Sequence, residues 1–389
     1  MCRQKSALRV CLISLPSGDP NTGARKVFIP NFVQVLHPLC HQIYIIADDV
    51  PIGDEKVQVL AMKVHRMEGA TLVRVVRYLV TELRICARLA QILRKIDIVI
   101  FYVSGPLILP AVLAKLFRKR LSFVATGMAS RETRIRRAAR ISGRIFSRVF
   151  KMLEDMIFRL ADQIAVESPS VVRFHNLGRF ANKVSINGAL YIDTALFSVK
   201  SSLASRENII GYVGHLIALK GVANLAKAMP LIAEKDSSVR FLVIGDGVLR
   251  HYMEEETRRH GLEERVAFTG RIPRDRLPEY YNQMRLFVFP SYTEGVPGVV
   301  QEAMACGTPV LATPVGGIPD LIRDGETGFI IEENSPEGIA KDVARVLQHP
   351  KLDEIAQNAR KLIEREYTYD VMVGKCQVAF SSLMNDRRD

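Results

Sequence analysis

Two carboxylates, Glu294 and Glu302, stand eight residues apart in the segment TEGVPGVVQEAMACG. Glu294 lies in a turn with Gly295, Pro297 and Gly298, and Glu302 lies inside the helix predicted to follow. Two well-placed carboxylates can supply the acid and the nucleophile of glycoside hydrolysis. The pair alone therefore leaves hydrolysis open as one chemistry for this region.

Glycine-bearing turns in this half of the chain follow apolar strands and lead into helices. The turn that begins at Gly214 ends with Lys220 beside Gly221, and another glycine turn follows the strand 309–312. Backbone N–H groups and helix dipoles converge at such turns, so an anion such as a diphosphate fits there. Lys220 is the best candidate to meet a phosphate as a point charge.

The elements that must position these residues alternate between strands and helices along both halves of the chain. Such alternation predicts an α/β fold with two doubly wound parallel sheets, and ligands bind at the carboxyl ends of the strands. The predicted strands are 9–15, 42–47, 57–60, 97–103, 121–125 and 163–167 in the first half, and 208–213, 240–244, 265–268, 286–289, 309–312 and 328–331 in the second.

Several motifs occur together with the E-x7-E spacing, in one order and at regular spacings. They are GYVGHLIALKGV at 211–222, FLVIGDGVLR at 241–250, EAMACGTPV at 302–310 and GGIPDLIRDGETGF at 316–329. This pattern resembles the donor-site signature of retaining GT-B glycosyltransferases, glycosyltransferase family 4, and it covers essentially the whole C-terminal half. The resemblance implies two Rossmann-like domains that face a cleft.

The resemblance also suggests how the domains divide. Periodicity lapses in INGALYIDTALFSVKSSLASREN, which predicts the boundary between an acceptor-binding domain at 1–190 and a nucleotide-sugar donor domain at 191–369. In this fold the last helix commonly returns to the first domain, so residues 370–389 are expected there.

The resemblance assigns roles to individual residues of the donor site. Glu294 is expected to contact the hydroxyls of the donor sugar, helped by the amides near Gly295 and Val296. Glu302 is expected to accept hydrogen bonds from the ribose. The backbone of Arg271 and Ile272 is expected to meet the base, and Pro297, Gly214 and Gly245 complete the expected site.

Two parts of the pattern depart from the family. His215 stands where the family usually has an arginine; a diphosphate neighbour would favour its charged form. After the first strand the family usually has a glycine pair, and Gly23 is the candidate for one of its two glycines. On the acceptor side, Thr126-Gly127 stands where many relatives have His-Gly. His215 and Thr126 are the support for an alternative function, a non-catalytic membrane-associated scaffold of the same fold.

The expected reaction uses no metal and no cofactor. No D-x-D pair occurs in the chain, so the charge that meets the leaving diphosphate must come from side chains and amides. The resemblance implies front-face attack with the leaving phosphate as base, and thus no side-chain nucleophile, which argues against hydrolysis. The substrate is a nucleotide sugar such as a UDP- or GDP-hexose, and a nucleotide-sugar 2-epimerase is a weaker alternative.

Positive charge is concentrated in the first half of the chain. Residues 1–190 hold 30 Lys and Arg against 13 Asp and Glu, a balance of +17 within a net charge of +13. In the segment 131–160 five basic residues fall within an arc of about 80° on a helix. They are Arg137, Arg140, Arg144, Arg148 and Lys151, and a second basic helix is expected at about 71–94.

A basic amphipathic helix of this kind fits an anionic membrane surface, and an ordinary packed helix with an arginine-rich polar face is the alternative. No nucleic-acid motif accompanies the charge, so nucleic acid is not an expected partner. The acceptor is expected to be lipid-linked or a polysaccharide. The six cysteines are scattered without a C-x-x-C pair, which favours a reducing cytoplasm. The predicted location is the cytoplasm, peripheral to the inner face of the cell membrane.

Overall fold

The computed structural model describes residues 8–14, 23–48, 50, 52–62, 71–102, 105–125, 130–131, 141–188 and 190–385. Four of the predicted site residues, Thr126, Gly127, Arg137 and Arg140, lie outside these ranges. For Arg144 only the helical backbone is described.

The first sheet is parallel throughout and is built from buried apolar runs. Its strands pair in the order β3-β2-β1-β4-β5-β6-β7. They are β1 (Arg9–Ile13), β2 (Gln42–Ala47), β3 (Val57–Ala61), β4 (Ile98–Phe101), β5 (Arg120–Val124), β6 (Gln163–Val166) and β7 (Val184–Ile186). The edge strand β7 was not predicted from the sequence.

Helices form most of the connections between these strands, as is usual in a parallel sheet. They are α1 (Gly23–Leu36), α2 (Thr71–Ala90), α3 (Ile108–Leu116), α4 (Ile141–Leu160) and α5 (Pro169–Phe174). None of the helices in the described ranges is long and apolar enough to cross a membrane.

The second sheet is also parallel, with its strands in the order β10-β9-β8-β11-β12-β13. They are β8 (Ile209–Val213), β9 (Arg240–Ile244), β10 (Val266–Gly270), β11 (Leu286–Phe289), β12 (Val310–Ala312) and β13 (Phe329–Ile330). The helices are α6 (Val222–Lys235), α7 (Arg250–Arg259), α8 (Leu277–Tyr281), α9 (Gly298–Ala305), α10 (Ile318–Leu321), α11 (Pro336–Leu347), α12 (Leu352–Glu366) and α13 (Tyr369–Asn385). Two parallel, Rossmann-like sheets confirm the predicted fold class.

The chain divides into two compact units. The first takes the chain up to Ser168, His175–Leu190 and the chain from Asp370 onward; the second takes Pro169–Phe174 and Tyr191–Tyr369. Helix α5 was expected in the first domain and groups instead with the second unit. The backbone N–H of Ser170 donates to Asp320 Oδ2 at 2.6 Å, so a carboxylate of α10 holds the first turn of α5.

Candidate functional site

The centre of the second sheet is where the strand order reverses. Strand β8 lies between β9 and β11, so the loops after β8 and β11 leave the sheet side by side. In an open α/β sheet this reversal is the usual place for a ligand. The loop after β8 ends in Lys220, and the loop after β11 carries Glu294.

A glycine allows the two loops to touch. Gly221 has φ +69°, and a Cβ atom there would lie 1.9 Å from the carbonyl oxygen of Pro290. Any other residue would push the loops apart. Tyr292 also donates its backbone N–H to the carbonyl of Leu219 at 2.9 Å, which fixes the alignment of the two loops.

Lys220 and Glu294 form an ion pair at this junction. Lys220 Nζ lies 2.5 Å from Glu294 Oε1, and Ser291 Oγ donates to the same oxygen at 2.6 Å. The Glu294 side chain is 9% exposed and that of Lys220 is 23% exposed. The structure therefore brings together the two residues that the sequence singled out most strongly, with the cation at the more open side of the pair.

A second close approach holds the backbone of Glu294. A Cβ atom on Gly316, which has φ +60°, would lie 2.1 Å from the carbonyl oxygen of Glu294. Gly317 donates its N–H to the carbonyl of Gly295 at 2.7 Å. The glycine pair after β12 therefore packs against the loop that follows β11 and fixes its backbone. Val296 and Pro297 of that loop are buried.

Glu302 lies in a separate cluster on α9. Its Oε1 accepts from Arg274 Nε at 2.6 Å, and its Oε2 accepts from the Tyr281 hydroxyl at 3.2 Å. Burial raises the pKa of the Glu302 carboxyl, and the nearby Arg274 guanidinium opposes that shift. A carboxylate has about four lone-pair sites, so two remain for a diol.

Arg274 is positioned from its other side by an aromatic ring. Its guanidinium carbon lies 5.1 Å from the ring centroid of Phe197, within the range of a cation–π contact. Arg274 and Tyr281 were not predicted as site residues, nor was Ser291. For Arg274 and Ser291 the available signal was their place after strands β10 and β11, at the same sheet edge as the glycine turns, whereas Tyr281 ends helix α8.

The remaining predicted donor residues also lie at the carboxyl ends of strands in this sheet. Gly245 has φ +133°, and a Cβ atom there would lie 1.9 Å from the carbonyl oxygen of Gly214. The carbonyl of His215 accepts from the Tyr212 hydroxyl at 3.0 Å. Arg271 is exposed and Ile272 half-buried after β10. Thus the loops after β8, β9, β10 and β11 supply every predicted donor residue outside helix α9.

The predicted residues of the first unit are more scattered. Gly23 begins helix α1. On α4, Arg148 is exposed, while Lys151 lies 3.1 Å from Asp155 in an i,i+4 ion pair. In the described ranges no group of three or more His, Cys, Asp or Glu residues is arranged to hold a metal.

The sequence of the second unit is similar to known proteins. Residues 193–362 match the family described as Glycosyl transferases group 1. A capsular polysaccharide biosynthesis glycosyltransferase, CapM of Staphylococcus aureus, is 29% identical over 179 residues, which is 46% of this chain and 47% of the relative. An uncharacterized glycosyltransferase of Methanocaldococcus jannaschii is 34% identical over 165 residues, 42% of each chain. These matches span less than half of either relative, and they support a transferase.

Solved structures match over both units. Sucrose-phosphate synthase of Thermosynechococcus elongatus has a TM-score of 0.78 at 20% identity, covering 97% of this chain and 99% of that one. HepE of Anabaena in complex with UDP-glucose has a TM-score of 0.71 at 17% identity, covering 96% and 99%. At such identities the likeness shows the fold, which is that of GT-B glycosyltransferases. The group 1 match falls in the C-terminal half, where the sequence resembles a glycosyltransferase donor site; family 4 and retention stay predictions.

Proposed function

We propose that this protein is a retaining glycosyltransferase that moves a hexosyl unit from a nucleotide sugar to a lipid-linked or polysaccharide acceptor without a metal ion. The Lys220–Glu294 pair at the strand reversal carries the proposal. A lysine that meets phosphate and a glutamate that meets sugar hydroxyls are needed on either side of the bond that breaks. Lys220 Nζ and Glu294 Oε1 are 2.5 Å apart, so both side chains are within reach of one bound nucleotide sugar.

In the proposed reaction the bond between the anomeric carbon and the diphosphate oxygen breaks. Lys220 and the amides of the glycine turns meet the charge that develops on the leaving diphosphate. The acceptor oxygen bonds to the anomeric carbon on the same face, and its proton passes to the departing phosphate. Glu302 and Arg274 lie apart from this step and hold the nucleoside.

The donor and the membrane location rest on two other observations. HepE of Anabaena is described in complex with UDP and with UDP-glucose, which favours a uridine nucleotide as the first donor to test. The basic first half of the chain favours an anionic surface, and we propose a peripheral location at the inner face of the cell membrane. The named transferase relatives favour this function over a scaffold or an epimerase.

The test is nucleotide release from UDP-, GDP- and ADP-sugars, with and without a lipid extract from the source organism. We expect release from one donor, a rise when the lipid is added, and a loss of at least about a hundredfold in Glu294→Ala. Glu263→Ala, an exposed glutamate without a predicted role, is the matched control. A folded sample that releases no nucleotide from any donor would overturn the proposal in favour of the scaffold.

A further inference from the structure

Helix α2 exposes an aliphatic face to solvent. Along its outer side five large aliphatic side chains are each between 38% and 58% exposed. They are Val73, Val76, Leu79, Val80 and Leu83. At 100° per residue all five fall within an arc of about 120°. A helix on the surface of a globular domain normally turns charged and polar residues outward. Helix α2 instead turns an aliphatic face outward.

The inner face of α2 is fixed by buried polar contacts, which keep the aliphatic face outward. Glu82 is 2% exposed, and its carboxylate accepts from the backbone N–H groups of Ile108 at 3.1 Å and Leu109 at 2.9 Å. It thereby caps the N-terminus of α3. Ile85 and Leu89 are buried on the same side, and the Tyr78 hydroxyl donates to the carbonyl of Pro106.

Basic side chains border the aliphatic face along one edge. Arg77, Arg84 and Arg88 fall within about 40° of one another, next to the arc of Val73 and Val80. The only carboxylate of α2, Glu82, is on the inner face and engaged with α3. The outer half of the helix is therefore apolar with a positive margin.

Helix α3 packs against α2 and extends the exposed apolar surface. Leu109, Val112, Leu116 and Phe117 are exposed along α3 and at its C-terminal end, Leu116 to 75%. Contiguous apolar patches are rarely left uncovered on soluble proteins and mark sites of protein or membrane contact. The arginine margin decides between these partners, because an anionic bilayer offers phosphates at the depth of the arginines and acyl chains below.

We infer that the outer faces of α2 and α3 form the surface by which the protein inserts shallowly into an anionic lipid bilayer. This rests on the membrane part of the proposed function and moves its contact from the segment 131–160 to these two helices. The aliphatic side chains enter the boundary between headgroups and acyl chains. Arg84 and Arg88 lie at the level of the lipid phosphates.

The test is flotation of the full-length protein with vesicles of phosphatidylcholine alone or mixed with phosphatidylglycerol, without any nucleotide sugar. We expect binding to the anionic vesicles and a loss of about a hundredfold in Val76→Ser/Leu79→Ser/Leu83→Ser. Arg84→Gln/Arg88→Gln should bind about thirtyfold more weakly, with a smaller dependence on salt. Val378→Ser/Met384→Ser, which removes exposed apolar side chains from α13, is the matched control and should bind as the wild type does.

Three outcomes would overturn the inference. The serine variant binds like the wild type; the control variant loses binding equally; or the wild type ignores vesicles and forms a dimer, by light scattering, that the serine substitutions abolish. The last result would assign the face to a second copy of this chain. Nucleotide release by the same samples is a separate readout, so a failure of the proposed function is recognised independently.

Discussion

At the scale of single residues, the ion pair of Lys220 and Glu294 has two expected roles, one in stability and one in catalysis. Lys220→Met removes the cation expected at the leaving diphosphate and leaves a mostly buried carboxylate with Ser291 as its remaining donor. We expect nucleotide release to fall by about 100- to 1000-fold. Lys227→Met, which changes an exposed lysine of α6, should leave the rate unchanged.

A double variant distinguishes the two roles. In Lys220→Met/Glu294→Gln the buried carboxylate is gone, so stability lost in the single variant should return in urea unfolding. The rate of nucleotide release should not return. Recovery of the rate together with stability would mean that the pair only holds the two loops together.

Arg274 gives the second prediction at this scale, and the size of the expected stability loss depends on pH. Burial raises the pKa of Glu302 and Arg274 opposes this, so removal of the guanidinium raises that pKa further. The ionised Glu302 carboxylate, buried without a cation beside it, then destabilises the folded state. Arg274→Gln should therefore destabilise the protein by about 2–4 kcal/mol at neutral pH and by less in acid, where a protonated Glu302 needs no cation.

The measurement is urea unfolding of Arg274→Gln across a pH series, together with UDP binding. Tyr281 and Cys306 also lie near Glu302, but burial raises the pKa of both, so they stay neutral over this range. UDP affinity of the variant should fall as the pH is lowered, because the ribose loses a carboxylate acceptor. Arg276→Gln, an exposed arginine 3.6 Å from Glu279, should show neither effect. A loss of stability that is constant with pH would contradict the predicted role.

At the scale of elements, the strands were the most predictable part of the fold. Runs such as Ile98–Phe101 and Leu286–Phe289 are wholly apolar and wholly buried. A short continuous apolar run is typical of a strand in a parallel sheet that is covered on both faces. Strand β7 was missed because it is three residues long, with Ser185 in the middle and an exposed end at the edge of the sheet. Neither length nor periodicity marks so short a strand.

The donor site was predictable only in part, for a geometric reason. Glu294 and Lys220 were found because their motifs and glycine turns are local signals. The contact of Arg274 with Glu302 depends on how the loop after β10 meets α9, and no local pattern encodes that distance. The same limit explains α5, whose place in the second unit depends on Asp320, 150 positions away from Ser170.

Helix α9 carries an amide that its surroundings do not satisfy. Gln301 is 0% exposed, and neither of its amide atoms has a hydrogen-bond partner among the described residues. A buried amide left unpaired costs about 1–3 kcal/mol. Gln301→Leu should therefore raise the free energy of unfolding by about 1–2 kcal/mol in urea titration.

The matched control is Gln283→Leu, because Gln283 is exposed in the turn that follows α8. Its stability should change by less than about 0.5 kcal/mol. A destabilised Gln301→Leu would show that an ordered water completes the hydrogen bonds of the native amide.

At the scale of the whole molecule, the last helix belongs to the unit that begins the chain. Helix α13 buries Met372, Cys376, Ala379, Phe380 and Leu383. The carbonyl of Ala379 accepts from Gln163 Nε2 at 3.0 Å, which ties α13 to strand β6. The first unit is therefore complete only when the chain has passed through the second unit and returned.

This arrangement predicts a response confined to one unit. Phe380→Ala should remove about 3–5 kcal/mol from the first unit, because the buried ring leaves a cavity beside its sheet. In hydrogen-exchange mass spectrometry the amides of β6 should then exchange more than about a hundredfold faster, while those of β8 and β11 keep their rates. Val378→Ala, at a position 72% exposed on the same helix, should change neither set. If β8 and β11 also lose protection in Phe380→Ala, the two units unfold as one cooperative body, and α13 stabilises both.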